Sequence, residues 1–310
     1  MPNARCVTVD CHYLAPELAA AYLRVQGDEA AFIETGTAKN VPALLAALAA
    51  AGLRPEQVRY VIVTHAHLDH AGGASALLAA LPRATLVAHP RAARHLIDPS
   101  KLVASARAVY GAERFESLYG TLSPIEAARV TALDDRATLP LGDATLTFLH
   151  ARGHANHHFV VHDPAADAVF TGDAFGLAYP RLQRAGRFAY PSTSPTDFDA
   201  DAARAAIEQI AGLGAARACL THFGEVTDIP AVAAQLRDWI DFSEDRLRES
   251  LAVPAAAALA FLRDALAARF EALAAARGLA LDEGDRRLLA VDLDLNAQGL
   301  AWAAGKLRQG

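Results

Sequence analysis

The sequence predicts an α/β protein, and three features carry that reading. Short β-branched runs alternate with alanine-rich helical stretches, Gly and Pro punctuate the alternation, and the strand signal stops after Pro230. Residues 22–25 and 30–33 read as a strand pair turning at Gly27-Asp28. Residues 41–51 read as a helix, with Pro42 in its first turn and Gly52 as its stop. Residues 58–63 form a β-branched run typical of a buried strand. Gly72-Gly73 opens a helix over 74–81, and 84–88 is a further strand. Residues 98–126 carry Tyr110, Phe115, Leu118 and Tyr119 between breaks at Gly111, Gly120 and Pro124. They read as a helical insertion over the functional site. Strand character returns over 129–170, with turns at Leu141-Gly142-Asp143 and Asp163-Pro164. Residues 174–196 read as a long loop, a feature that in compact domains is often functional. A helix over 198–210 and a strand over 216–221 follow. Amphipathic periodicity then marks helices over 232–251, 254–277 and 286–307. The predicted organisation is a mixed domain over 1–230 and a C-terminal helical region over 231–310.

Composition narrows the function classes. The chain has 310 residues, 53% hydrophobic and 21% charged, as expected of a folded globular protein that buries a sizeable core. Its 29 basic and 35 acidic residues leave a net charge of −6 with no Lys/Arg run, which argues against a nucleic-acid partner. Cys6, Cys11 and Cys219 form no CxxC pair and read as small buried hydrophobes. No signal-peptide pattern and no apolar run of membrane-span length is seen, so the cytoplasm is the default location and no membrane partner is expected.

The chemistry is concentrated in His65-Ala66-His67-Leu68-Asp69-His70, four metal-type ligands within six residues. Imidazole and carboxylate donors suit Zn, Mn and Fe. The run follows a predicted buried strand, so it occupies the turn at a strand's C-terminal end, where α/β layers place ligands. Four close ligands exceed what one tetrahedral ion takes from a single loop, and a two-ion site is the natural solution.

The H-x-H-x-D-H run resembles the signature of the metallo-β-lactamase-fold superfamily. Three later segments resemble its other motifs in order: Gly153-His154 with His158, Thr171-Gly172-Asp173, and Leu220-Thr221-His222. The resemblance spans about residues 20–225 and implies a four-layer αββα sandwich with the site along one edge of two packed sheets. It implies that His65, His67 and His154 hold a first ion, that Asp69, His70 and His222 hold a second, and that Asp173 bridges them. In the second motif Asn156-His157 replaces the usual Pro/Gly pair, which leaves His150, His157 and His158 as competitors of His154. Glu34-Thr35-Gly36 stands where the family often has Asp-Thr-Gly. Glu34 then reads either as an outer partner of the metal loop or as a plain strand-end carboxylate.

The implied activity is hydrolysis of a small ester, lactone or thioester. A metal-bridging hydroxide would attack the carbonyl, with Asp69 and Asp173 as the catalytic carboxylates and two divalent ions, Zn with Fe or Mn as alternatives, as cofactors. True lactamases of this fold typically carry Cys or Ser at the Asp173 position, which argues against antibiotic hydrolysis. The ligand set looks like the glyoxalase-II, lactonase and phosphodiesterase branches, and the alternatives are an iron-dependent, dioxygenase-like oxidoreductase on the same ligands or a phosphodiesterase. Phe175, Tyr179 and Tyr190 read as substrate-facing or as loop anchors. Arg181, Arg184 and Arg187 read as a solvated loop face. The expected partner is a small-molecule substrate, and the C-terminal helices offer a face for a homodimer.

Overall fold

The computed structural model describes residues 4–193 and 197–309; the side chains of Val109 and Tyr110, and Ser194, Pro195 and Thr196 of the predicted loop, lie outside that description. The chain forms two compact units.

The first unit comprises the residues up to His150, His157–Gly172 and Leu213–Thr227. It holds two six-stranded sheets. The first sheet runs in chain order: β1 (Ala4–Asp10), β2 (Ala20–Gln26), β3 (Glu29–Ile33), β4 (Val58–Ile62), β5 (Thr85–Ala88) and β6 (Val130–Ala132). Its first three strands pair antiparallel and its last three join in parallel. The parallel connections carry α1 (Val41–Ala50), α2 (Leu68–Ala71), α3 (Ala74–Ala80), α4 (Pro90–Ile97), α5 (Ser100–Tyr110) and α6 (Ala112–Tyr119). The second sheet has the order β12–β7 from edge to edge: β7 (Thr138–Leu141), β8 (Ala144–His150), β9 (Phe159–Asp163), β10 (Ala168–Gly172), β11 (Arg217–Leu220) and β12 (Gly224–Val226). Only β10 and β11 pair in parallel there.

Side chains alternate across a strand, and this alternation builds two cores. Leu23, Phe32, Val61 and Leu86 point outward and pack with Leu44 and Leu48 of α1 and Leu77 of α3. Tyr22, Ile33, Ile62 and Val87 point inward and meet Leu146, Phe148, Phe159 and Phe170 of the second sheet. β2 is buried on both faces, as a strand covered by a helical layer and a second sheet must be. Arg24 on β2 and Asp163 at the end of β9 form a wholly buried ion pair across the sandwich, and Arg24 Nη2 also donates to Gln26 Oε1 at 2.7 Å.

β1 has no counterpart in the sequence reading. It is an edge strand in which only Val9 is buried, so no apolar face marks it in the sequence. The predicted insertion is α5 and α6, and it packs on Leu68 of the metal-type loop through Phe115 and Tyr119.

The second unit comprises Ala151–Asn156, Asp173–Gly212 and the residues from Asp228 onward. It holds α7 (Ala200–Ala211), α8 (Ile229–Ser250), α9 (Ala258–Ala276) and α10 (Glu283–Leu307). An aromatic cluster forms its centre: Tyr190 lies 4.8 Å from Phe270 and 5.9 Å from Trp239, centroid to centroid. Among the described residues no helix is long and apolar enough to cross a membrane.

Candidate metal centre

In the sandwich unit, β4 delivers the chain into the His65–His70 segment, and α2 turns Asp69 and His70 back towards the end of β3. Gly73 secures this turn. Its N–H donates to the Gly36 carbonyl at 2.9 Å, and an added Cβ would stand 2.7 Å from the Thr37 carbonyl oxygen and 2.8 Å from that of Thr35.

Two overlapping donor groups result. Glu34, His65 and His70 each present a ligand atom within 4.8 Å of the others, as do Asp69, His70 and His222. His67 stands beside His65, with ring centroids 4.4 Å apart. His65 and His70 are fully buried; His67 and Asp69 are half-buried.

Protein acceptors fix the imidazole tautomers. His70 Nδ1 lies 3.2 Å from Glu34 Oε1, and His222 Nδ1 donates to the Leu18 carbonyl at 2.7 Å. Both acceptors take a proton, so in each neutral ring Nε2 carries the lone pair. Those Nε2 atoms face Asp69 Oδ2, at 3.8 Å from His70 and 3.4 Å from His222. A nitrogen lone pair and a carboxylate oxygen at such separations repel unless a cation or proton lies between them. The donor set therefore fits a divalent ion of the Zn, Mn or Fe type.

Glu34 is the hub of this arrangement. Its backbone adopts φ +65°, a conformation that costs a non-glycine residue of order 1–3 kcal/mol. Its carboxylate accepts from the Thr64 hydroxyl, from Thr64 N at 3.3 Å and from Thr221 Oγ1 at 3.3 Å. Thr35 adds a clamp, donating from Oγ1 to the His70 carbonyl at 2.7 Å. Such partners orient ligands. Sequence reasoning missed Thr64, Thr221, Thr35 and the Leu18 carbonyl; only Glu34-Thr35-Gly36 gave a signal.

In the helical unit, His154 and Asp173 repeat the same pattern. His154 Nδ1 donates to the Ser192 carbonyl at 3.3 Å, and its Nε2 faces Asp173 Oδ2 at 3.3 Å. Gly153 makes the approach to α7: at φ +121°, an added Cβ would meet Ala203 N at 2.4 Å. A small cleft opens beside this pair, with Phe198, Ile207, Leu236 and Ile240 on its wall and Arg152 contributing charge.

The competing histidines lie in the sandwich unit. His150 Nε2 donates to the Leu133 carbonyl at 3.2 Å, and its ring lies 4.2 Å from that of His89. Burial, then His150 and His157, push His89 down to about 4. His158 is buried behind His65, at 4.9 Å between centroids. His157 stands 6.0 Å from His65 and 5.7 Å from His67.

The loop residues belong to the helical unit. Phe175, Tyr179 and Tyr190 are buried, and the Tyr190 hydroxyl donates to Asp292 Oδ2 at 2.8 Å. Arg181 and Arg184 are exposed, as a solvated loop face requires, and they ion-pair with Asp282 and Asp285 at the start of α10.

Comparison with known proteins agrees with this architecture. Residues 15–222 match the model of the metallo-beta-lactamase superfamily. The chain is similar to an archaeal metallo-beta-lactamase superfamily protein from Sulfolobus tokodaii, with 19% identity, coverage of 95% of this chain and 97% of that one, and a TM-score of 0.65. A metallo-beta-lactamase family protein from Thermus thermophilus shows 22% identity over 81% and 83% of the two chains, with a TM-score of 0.59. The chemotaxis sensor ODP, solved as a peroxy diiron species, shows 12% identity over 76% and 91%, with a TM-score of 0.55. At these identities the likeness shows the fold alone, a two-sheet α/β sandwich with a C-terminal helical region.

Proposed function

The chain belongs to the metallo-beta-lactamase superfamily, and from that premise we propose that it is a dinuclear metal-dependent hydrolase of a small ester, lactone or thioester. The observation that carries the reading is the threefold repetition of one motif. His70, His222 and His154 each anchor Nδ1 on a protein acceptor and turn Nε2 towards an aspartate. In the family's motif order, His65, His67 and His154 would hold one ion, Asp69, His70 and His222 the other, and Asp173 both. Bound divalent ions supply Lewis-acid polarisation of a carbonyl and bring the pKa of water down to about 7.

The chain's own residues do the rest. Glu34, Thr64 and Thr221 hold the imidazole rings in their metal-facing tautomers. Asp69 and Asp173 are the catalytic carboxylates: their oxygens would hold the ions against the facing imidazoles. The apolar wall beside His154 and Asp173 favours a small organic substrate over a polymer. Phe175, Tyr179 and Tyr190 support the substrate loop from within the helical core.

An iron-dependent oxidoreductase is the second reading, because imidazole and carboxylate donors suit iron as well and the fold is shared with a diiron protein. A screen over lactones, thioesters, carboxyl esters and phosphodiesters, with Asp173→Ala as blank and oxygen uptake recorded in parallel, separates the readings. Metal-dependent ester, lactone or thioester cleavage supports the proposal. Iron-dependent oxygen consumption without cleavage contradicts it, and so does activity confined to phosphodiesters.

A further inference from the structure

Cys6, Cys219 and Glu225 meet at one edge of the sandwich, outside the histidine–aspartate centre. Cys6 lies on β1, the edge strand of the first sheet, and Cys219 on β11 of the second. Glu225 on β12 is the register partner of Cys219, so their side chains share a face of the sheet. The two sulfurs and a carboxylate oxygen all lie within 4.8 Å of one another.

We propose that Cys6, Cys219 and Glu225 form a second metal site, selective for a thiophilic divalent cation of the Zn(II) type. Two thiolates are soft donors of the kind that select zinc over magnesium or calcium. Sulfurs about 2.3 Å from a tetrahedral ion sit roughly 3.8 Å apart, within the 4.8 Å that bounds the observed cluster. The three residues form a path from the interior to solvent: Cys219 is buried, Cys6 half-buried and Glu225 exposed.

Arg217 completes the electrostatics. It lies 3.1 Å from Glu225 Oε2 and anchors itself on the Ala166 carbonyl at 3.0 Å. Two thiolates, one carboxylate and a divalent ion sum to one negative charge, which the guanidinium neutralises. Cys11 is not part of the site. It packs in the outer core, and burial pushes its thiol up to about 12.

Cadmium chloride titrated into the reduced full-length protein tests the proposal, because sulfur-to-cadmium charge-transfer absorption reports thiolate ligation and is blind to the histidine–aspartate centre. The expected result is a saturable band with the intensity of two thiolate ligands, lost in Cys6→Ser and kept in Cys11→Ser. Glu225→Gln should keep the band and weaken binding roughly tenfold. Cys6 is half-exposed on an edge strand, so Cys6→Ser with unchanged circular dichroism carries the test even if Cys219→Ser fails to fold. No band in the wild type, or a band undiminished in Cys6→Ser, overturns the site. Neither result bears on the hydrolase reading, since none of these residues belongs to that centre.

Discussion

At the scale of single residues, Glu34 shows how a carboxylate off the metal-binding run sets its geometry. It holds the Nδ1 side of His70 while receiving Thr64 and Thr221 from two other segments. Replacing it by Ala removes the acceptor that fixes the tautomer, and zinc affinity should fall about 10–100-fold. Competition against a chelating dye measures this, and unchanged affinity would show that Glu34 is a bystander. Tyr190→Phe removes the hydroxyl that donates to Asp292 and should cost about 0.5–1.5 kcal/mol in urea unfolding. A variant as stable as the wild type would count against that bond. The candidate ligands were legible because their chemistry is local, four of them within six residues. Their supports were not: Leu18, Thr64 and Thr221 are far apart in sequence, and a backbone carbonyl leaves no trace in it.

At the scale of elements, β-branched runs and glycine stops located β2 to β5 and the helices, because burial on both faces imposes a continuous apolar run. Edge strand β1 escaped because it needs no such run. Gly172 ends β10 at φ +50°, where an added Cβ would stand 2.4 Å from Thr64 Oγ1 and 2.5 Å from His158 Nε2. Gly172→Ala should therefore lose about 1–3 kcal/mol. Chemical denaturation measures it, and a neutral effect would mean the neighbouring side chains yield freely. The start of α10 gives a pH signature. Burial pushes Asp285 up, but Arg184, the Asp282 N–H and Arg181 outweigh it and hold the carboxyl down to about 2. A depressed folded value stabilises above the unfolded pKa of about 3.9 and loses that stabilisation as pH falls through the folded value. The gap in melting temperature between the wild type and Asp285→Asn should be full above about pH 4 and close towards pH 2. A gap independent of pH would contradict the ion-pair account. Exposed loop arginines look alike in sequence whether or not they are ion-paired, so this network became visible only with the fold.

At the scale of the whole molecule, the family and its sandwich were legible from four ordered motifs, and the family match over 15–222 shows the same membership. The two compact units were less so. Ala151–Asn156 and Asp173–Gly212 join the C-terminal helices by packing rather than by sequence order, and the long loop turned out to be anchored by buried aromatic residues. On the proposed reading, two metal ions and the carboxylates that would hold them carry the hydrolysis. Metal content per chain, measured beside lactone and thioester turnover as zinc is added to chelator-stripped protein, tests it most directly. In Cys6→Ser protein, which lacks the thiolate pair of the sandwich edge, turnover should appear with the second equivalent bound, and adding Asp173→Ala should lose metal and activity together. Full turnover with one equivalent or none, or an Asp173→Ala protein that retains both, would contradict it.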